Sequence, residues 1–119
     1  MDKNYYITTP IYYPSAKPHM GHAYSSIIAD FFARFKIIDD YQVYFLTGTD
    51  EHGLKIQRSA EKAKKEPQIF CDQISQTFRD LSDTLNLSNT DFIITTEARH
   101  KKTVQHLWNE LEKNDDIYL

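Results

Sequence analysis

Cysteine, glycine and proline are scarce in this chain of 119 residues, with one, three and four of each. Cys71 alone can form no internal disulfide and supplies no cysteine-based zinc site, so a reducing compartment, and by default the cytoplasm, is the expected location. Basic charge is not in excess either. Fourteen Lys and Arg stand against 17 Asp and Glu, giving a formal charge of −3. A surface that tracks a nucleic-acid backbone draws on many cationic side chains, so any RNA partner would have its main docking surface elsewhere. Long apolar runs are missing too: the richest one, residues 27–38, is broken by Asp30, Arg34 and Lys36, and the N-terminus has no segment of signal-peptide length, so no membrane contact is expected. Neither G-x-x-x-x-G-K-[ST] nor G-x-G-x-x-G occurs, which excludes a P-loop and an ordinary dinucleotide fingerprint.

What is present is the composition of one folded domain, 40% apolar, 13% aromatic and 26% charged. No repeat, low-complexity tract or linker divides it. Residues 5–13, YYITTPIYY, read as a buried strand followed by a proline-stiffened loop. From about His19 the residues Ala23, Ile27, Ile28, Phe31, Phe32, Phe35 and Ile38 recur at steps of three and four, predicting a helix that buries this face on a sheet. A turn at 39–40 leads to an apolar strand covered on both faces and ending at Thr47. Helices are predicted from 54 to Pro67 and over 69–87, the second with Ile69, Gln73 or Ile74, Phe78, Leu81 and Leu85 on one stripe. A strand at 91–96, a helix at 97–113 with Val104, Leu107, Trp108 and Leu111 inward, and the opening of another strand at 117–119 complete the pattern. Alternating elements of this order predict an α/β fold with a parallel sheet and flanking helices. Because 117–119 stops in mid-pattern, the sheet is expected to be incomplete and the chain to be a fragment.

Ligands of open α/β sheets bind where the loops after the strands gather. Two loops qualify here, residues 13–22 (YPSAKPHMGH) and 48–53 (GTDEHG), and they hold all three glycines, Gly21, Gly48 and Gly53. At a helix start, His19 and His22 admit three readings. They can be ordinary polar helix-start residues, two ligands of a metal completed by Asp50 or His52, or imidazole donors that join free backbone N–H groups in holding a phosphate. The motif lacks the general base of H-E-x-x-H. Gly21 would let a flat base approach the backbone. For TDEH at 49–52 the alternatives are a helix cap with acidic residues in the first turn, or Asp50 as an anion for a cationic amino group. Most of the tyrosines at 5–6 and 12–13 are expected in the core, and the basic groups at 62–65 and 100–102 on solvated helix surface.

Taken together, TTPIYYPSAKPHMGHAY at 8–24 and FLTGTDEHGLKI at 45–56 closely resemble the methionyl-tRNA synthetase family of class I aminoacyl-tRNA synthetases. DFIITTEARHKKTVQ at 91–105 and DDIY at 115–118 extend the resemblance along essentially the whole chain. His-Met-Gly-His stands where the family has His-Ile-Gly-His, an apolar exchange. The resemblance implies a Rossmann-like fold, the class I synthetase nucleotide-binding fold, with residues 1–119 forming the N-terminal half of its catalytic domain and no second domain. It implies a methionine–tRNA ligase activity in protein biosynthesis. Methionine would be activated by ATP, with Mg2+, to methionyl-adenylate and then transferred to tRNA(Met). In that role His19 and His22 would be catalytic and bind ATP phosphates, and Gly21 would lie under the adenine. Pro10, Ile11 and Tyr13 would shape the methionine pocket, and Asp50 would hold the substrate ammonium. Lys17 is close enough in sequence to reach phosphate.

The departures are equally specific. The family's second signature, Lys-Met-Ser-Lys-Ser, is absent from these residues, as are the zinc-bearing insertion, the second half of the nucleotide fold and the anticodon-binding domain. No metal site and no zinc are therefore expected, and the isolated chain is expected to be inactive in aminoacylation. The alternatives are another His-x-Gly-His nucleotidyl transferase and a non-catalytic interaction fragment that buries its open sheet in a partner.

Overall fold

The computed structural model describes residues 3–118. Its elements run β1 (Asn4–Thr8), α1 (Met20–Ile38), β2 (Gln42–Thr49), α2 (Leu54–Lys62), α3 (Pro67–Thr84), β3 (Asp91–Ile94) and α4 (Ala98–Lys113). The strands form one sheet of order β1-β2-β3, parallel throughout, with Asn4 opposite Gln42 in the first pair and Leu46 opposite Asp91 in the second. Parallel neighbours require crossovers, and α1 and the α2–α3 pair supply them. The α/β architecture with flanking helices is as the alternation predicts.

β1 is shorter than the predicted strand at 5–13. The Thr9 N–H still donates to the Leu46 carbonyl at 3.1 Å, but Pro10 has no N–H to give to a ladder, so pairing lapses there and resumes as a single bridge between Tyr12 and Thr49. There the Tyr12 N–H donates to the Gly48 carbonyl at 2.9 Å and the Tyr12 carbonyl accepts from the Asp50 N–H at 2.9 Å. The detour turns Tyr12 into the core and leaves Ile11 and Tyr13 exposed.

The core lies on one face of the sheet. Ala29 and Ala33 of α1 pack on Phe45, flanked by Ile7 and Val43, while Tyr12, Phe78 and Phe92 form a second cluster with Ile74 and Ile94. This corrects the predicted inner face of α1. Its buried residues are Ala23, Ser26, Ala29 and Ala33, and Ile27, Ile28, Phe31, Phe32, Phe35 and Ile38 are exposed. Small side chains let the helix axis approach the sheet, and the large ones turn away from it. Among the predicted inward residues of α3, Ile69 is exposed, while Phe70, Cys71, Ser75 and Phe78 are buried. In α4 nothing is fully buried, and Val104, Leu107 and Trp108 face solvent. The second face of β2 is likewise open: Tyr44 is 47% exposed. Tyr6 and Tyr13 are exposed as well, so of the early tyrosines only Tyr12 is core.

Boundaries differ where local chemistry intervenes. Pro67 opens α3 instead of closing α2, with Glu66 as N-cap accepting from the Ile69 N–H at 3.0 Å. α2 has already ended at Lys62, and Lys64 is left-handed at φ 54. Gly48 belongs to β2, not to the loop after it. A Cβ there would sit 2.0 Å from the Ile93 carbonyl oxygen, so the glycine serves the close approach of β3. Ile117 and Tyr118 form no strand, and Leu119 lies outside the described residues.

Candidate active site

The two loops singled out in the sequence meet at the carboxyl ends of β1 and β2. A cavity of about 290 Å³ opens there, lined by Ile11, Tyr12 and Tyr13, by Ser15, Ala16 and Lys17, by His19 and His22, and by Lys55 of α2. Ile11, Tyr13, His19 and His22 are thus brought together as the sequence reading requires. Pro10, Gly21 and Asp50 do not line this cavity. Asp50 stands beside it, its N–H bonded to the carbonyl of Tyr12.

The histidines do two things at once. His19 is the N-cap of α1, and its Nδ1 accepts the Gly21 N–H at 3.0 Å; His22, at the third helical position, accepts the His19 N–H on its own Nδ1 at 3.0 Å. This is a reciprocal capping box built from imidazoles. The N–H of His22 is also occupied, by the His19 carbonyl at 3.0 Å. The helix start therefore offers fewer free backbone donors than expected, and Gly21 and His22 have none to spare. With both Nδ1 atoms accepting, each neutral ring carries its proton on Nε2. Two Nε2–H donors replace the backbone ones. Gly21 has a local reason to be glycine, since a Cβ would meet His19 Cε1 at 2.9 Å.

Packing fixes the inner ring. His22 meets Tyr12 edge-on at 4.8 Å and Phe78 at 5.1 Å, and the His19 and His22 rings lie 3.9 Å apart between centroids. Tyr12 is held in turn by Ser26 at 3.1 Å. Burial and then the neighbouring His19 lower the His22 pKa below 6.5, so the ring is neutral at pH 7. Among the described residues no three His, Cys, Asp or Glu side chains gather as metal ligands. No helix of the described residues is long and apolar enough to cross a membrane.

On the second loop, Asp50 Oδ1 accepts from the His52 N–H at 3.2 Å and from the Thr95 hydroxyl at 3.4 Å. Oδ2 has no hydrogen-bond partner among the described residues. The helix-cap alternative for 49–52 does not hold: α2 starts later, its N-cap is Gly53, and no side chain caps it. Two further cavity residues, Lys55 and Lys17, carry no motif signal of their own. Lys55 lies in a run of ordinary helix formers with no distinguishing pattern, yet its ammonium sits 5.5 Å from the Tyr13 ring centroid. Lys17, close in sequence to the histidines, is part of the lining.

The parallel sheet with its flanking helices recurs in solved structures. The LeuRS–tRNA–LeuAMS ternary complex from Agrobacterium radiobacter superposes at TM-score 0.84 over 98% of this chain and 15% of that one, at 24% identity, a likeness of fold. A family model described as tRNA synthetases class I (M) matches residues 5–119, and the chain belongs to that family. It is 55% identical over 117 residues to the mitochondrial methionine–tRNA ligase of Takifugu rubripes, covering 98% of this chain and 20% of that protein. The methionine–tRNA ligase of Rickettsia bellii is 52% identical over 118 residues, 99% of this chain and 23% of that protein. The Mycobacterium tuberculosis methionyl-tRNA synthetase bound by methionyl-adenylate superposes at TM-score 0.95, with 46% identity over 98% of this chain and 23% of that one. The chain therefore spans about one fifth of the length of the relatives it matches.

Proposed function

We propose that the cavity is the first half of a methionine-activating site. A methionine carboxylate oxygen attacks the α-phosphorus of MgATP, the bond to the bridging oxygen of the β-phosphate breaks, and pyrophosphate leaves methionyl-adenylate behind. The Nε2–H groups of His19 and His22 stabilise the charge that grows on the α-phosphate oxygens, Gly21 lies under the adenine, and Lys17 and Lys55 add positive potential. Ile11 and Tyr13, with Pro10 setting the backbone beside them, receive the apolar methionine side chain. The free Oδ2 of Asp50 takes the substrate ammonium. Transfer of the methionyl group to tRNA(Met) belongs to the longer protein of which this chain is a part. The single observation that carries the reading is the pair of imidazoles whose Nδ1 atoms are both occupied by backbone donors, in one cavity with Ile11 and Tyr13.

Titration of the 119-residue chain with a non-hydrolysable methionyl-adenylate analogue, followed by amide NMR, tests this. Shifts should concentrate at residues 11–13, 19–22 and 50, and His22→Ala should weaken binding about tenfold or more, as loss of a hydrogen bond to a charged group does. Shifts scattered elsewhere would overturn it. Methionine-dependent ATP–pyrophosphate exchange by the same chain should be undetectable, and clear turnover would refute the half-site reading.

One observation favours a second reading, a non-catalytic module that docks on other polypeptide. The outer stripe of α1, Tyr24, Ile27, Phe31 and Phe35, is exposed and apolar.

A further inference from the structure

Glu51 is a carboxylate the proposed reaction does not use, and it is only 5% exposed. Its Oε1 accepts the Ser75 hydroxyl at 2.5 Å, and its Oε2 accepts the Thr96 hydroxyl at 2.5 Å and the Gln68 amide at 3.1 Å. Ser75 and Gln68 belong to α3, and Thr96 lies just past β3. Thr49 Oγ1 lies 3.0 Å from the Ser75 oxygen, and because the Ser75 proton is committed to Glu51, Thr49 is the donor there. The Glu51 N–H donates to Thr95 Oγ1 at 2.9 Å, and that same hydroxyl turns its proton to Asp50 Oδ1 at 3.4 Å. Both ends of Glu51, backbone and side chain, are thus fastened to elements that converge beneath the Asp50 loop.

A buried carboxylate without a cation is costly unless several donors meet it, and three do here. An apolar side chain would tether the loop at lower desolvation cost. What hydrogen bonds add is direction. They fix the residue after Asp50 in space, leave Asp50 Oδ1 engaged by Thr95 and His52, and leave Oδ2 uncovered. We propose that Glu51 is the positioning residue of this site, holding the Asp50 carboxylate in the one orientation that receives the amino group of the substrate. The proposal rests on the reading of Asp50 given above.

The test separates the two claims. Methionine and MgATP affinities of the 119-residue chain are measured by NMR titration for the wild type, Glu51→Ala and Glu51→Gln. Glu51→Ala should weaken methionine binding tenfold or more and change MgATP affinity less than twofold, since the 13–22 loop makes no bond to Glu51. Glu51→Gln keeps one acceptor and can donate to the rotated hydroxyl of Ser75 or Thr96, so it should recover most of the loss. Equal methionine binding in wild type and Glu51→Ala overturns the positioning role while leaving the reading of Asp50 intact. So does parallel loss of both ligands, or a glutamine variant no better than alanine. A wild type that binds no methionine overturns the reading of Asp50 and this proposal with it. Hydrogen exchange without ligand gives a second readout. Glu51→Ala should speed exchange of the Glu51 and His52 amides at least tenfold while β1 and β2 amides keep their protection, and unchanged exchange at those two amides refutes the proposal.

Discussion

A histidine whose Nδ1 accepts a backbone N–H keeps the proton of its neutral ring on Nε2. In His22 the backbone N–H of His19 occupies Nδ1, and burial between Tyr12 and Phe78 disfavours the imidazolium. The folded pKa is lowered, so the unfolded chain binds the proton more readily. His22 therefore contributes its full stability above about pH 6.5 and loses it as pH falls through that value toward the lower folded pKa. Replacing it with glutamine, which serves equally in a capping box, removes the titration and keeps the cap. Urea unfolding at pH 7 and 5.5 should show a smaller acid-induced loss for His22→Gln than for the wild type, and equal losses would refute the account. At this scale it was legible that the 13–22 loop, with His19 and His22, lines a cavity at the strand ends, and the family resemblance added Ile11 and Tyr13 to that lining. Glu51 and Lys55 were not legible, because their contacts are with α3, the residues just past β3 and Tyr13, which sequence distance hides.

Among the elements, Gly48 of β2 and Gly53 before α2 are glycines for different reasons. Gly48 faces the backbone of β3, which cannot yield, so Gly48→Ala should cost about 3 kcal/mol or more and detach β3. Gly53 has open space around it but lies at φ 104 and ψ 166, a region nearly reserved for glycine, and Gly53→Ala should cost about 1–3 kcal/mol, with the sheet intact. Denaturant midpoints and hydrogen exchange of the β2–β3 amides separate the two outcomes. The sequence marked these positions as special without saying why, since a strand neighbour and a turn both ask for glycine. Helix existence was plain from periodicity, but the inner face of α1 was not. It is apolar nearly all round, and the sheet takes the small residues. α4 is held mainly through its first turn, where the Arg99 guanidinium grips Asp91 with two parallel bonds of 2.6 and 2.9 Å and reaches the Phe92 carbonyl at 3.0 Å. Arg99 first, then Tyr44 and the Phe92 N–H, outweigh burial and hold the Asp91 carboxyl at about 2. That contribution is present above about pH 4 and is lost as pH falls toward 2. Arg99→Ala should return the Asp91 pKa, read by NMR, toward 3.8 and speed amide exchange along α4.

For the molecule as a whole, alternation of elements predicted the parallel sheet, but not that one of its faces would stand open. Periodicity records which positions are apolar and is silent about what covers them. The radius of gyration is 16.8 Å, against about 13.5 Å for a compact domain of this length. Accessible surface is 8499 Å², against about 6,700 Å² for a folded monomer of this mass. The excess of about 1,800 Å² exceeds what one partner contributes to a standard interface, about 800 Å². Parallel sheets are normally buried on both faces, and here Tyr6 and Tyr44 on the sheet, Phe31 and Phe35 on α1, and Leu107 and Trp108 on α4 all lie open. More than three quarters of each relative's length lies outside the part this chain matches. Alone at micromolar concentration, the chain should therefore self-associate and bind a hydrophobic dye, with sedimentation giving a mass above 14.0 kDa. Exchanging Ile27, Phe31 and Phe35 together for lysine should lower the associated fraction without lowering the unfolding midpoint, because these side chains make no core contact with the sheet. A dye-free monomeric wild type would refute this.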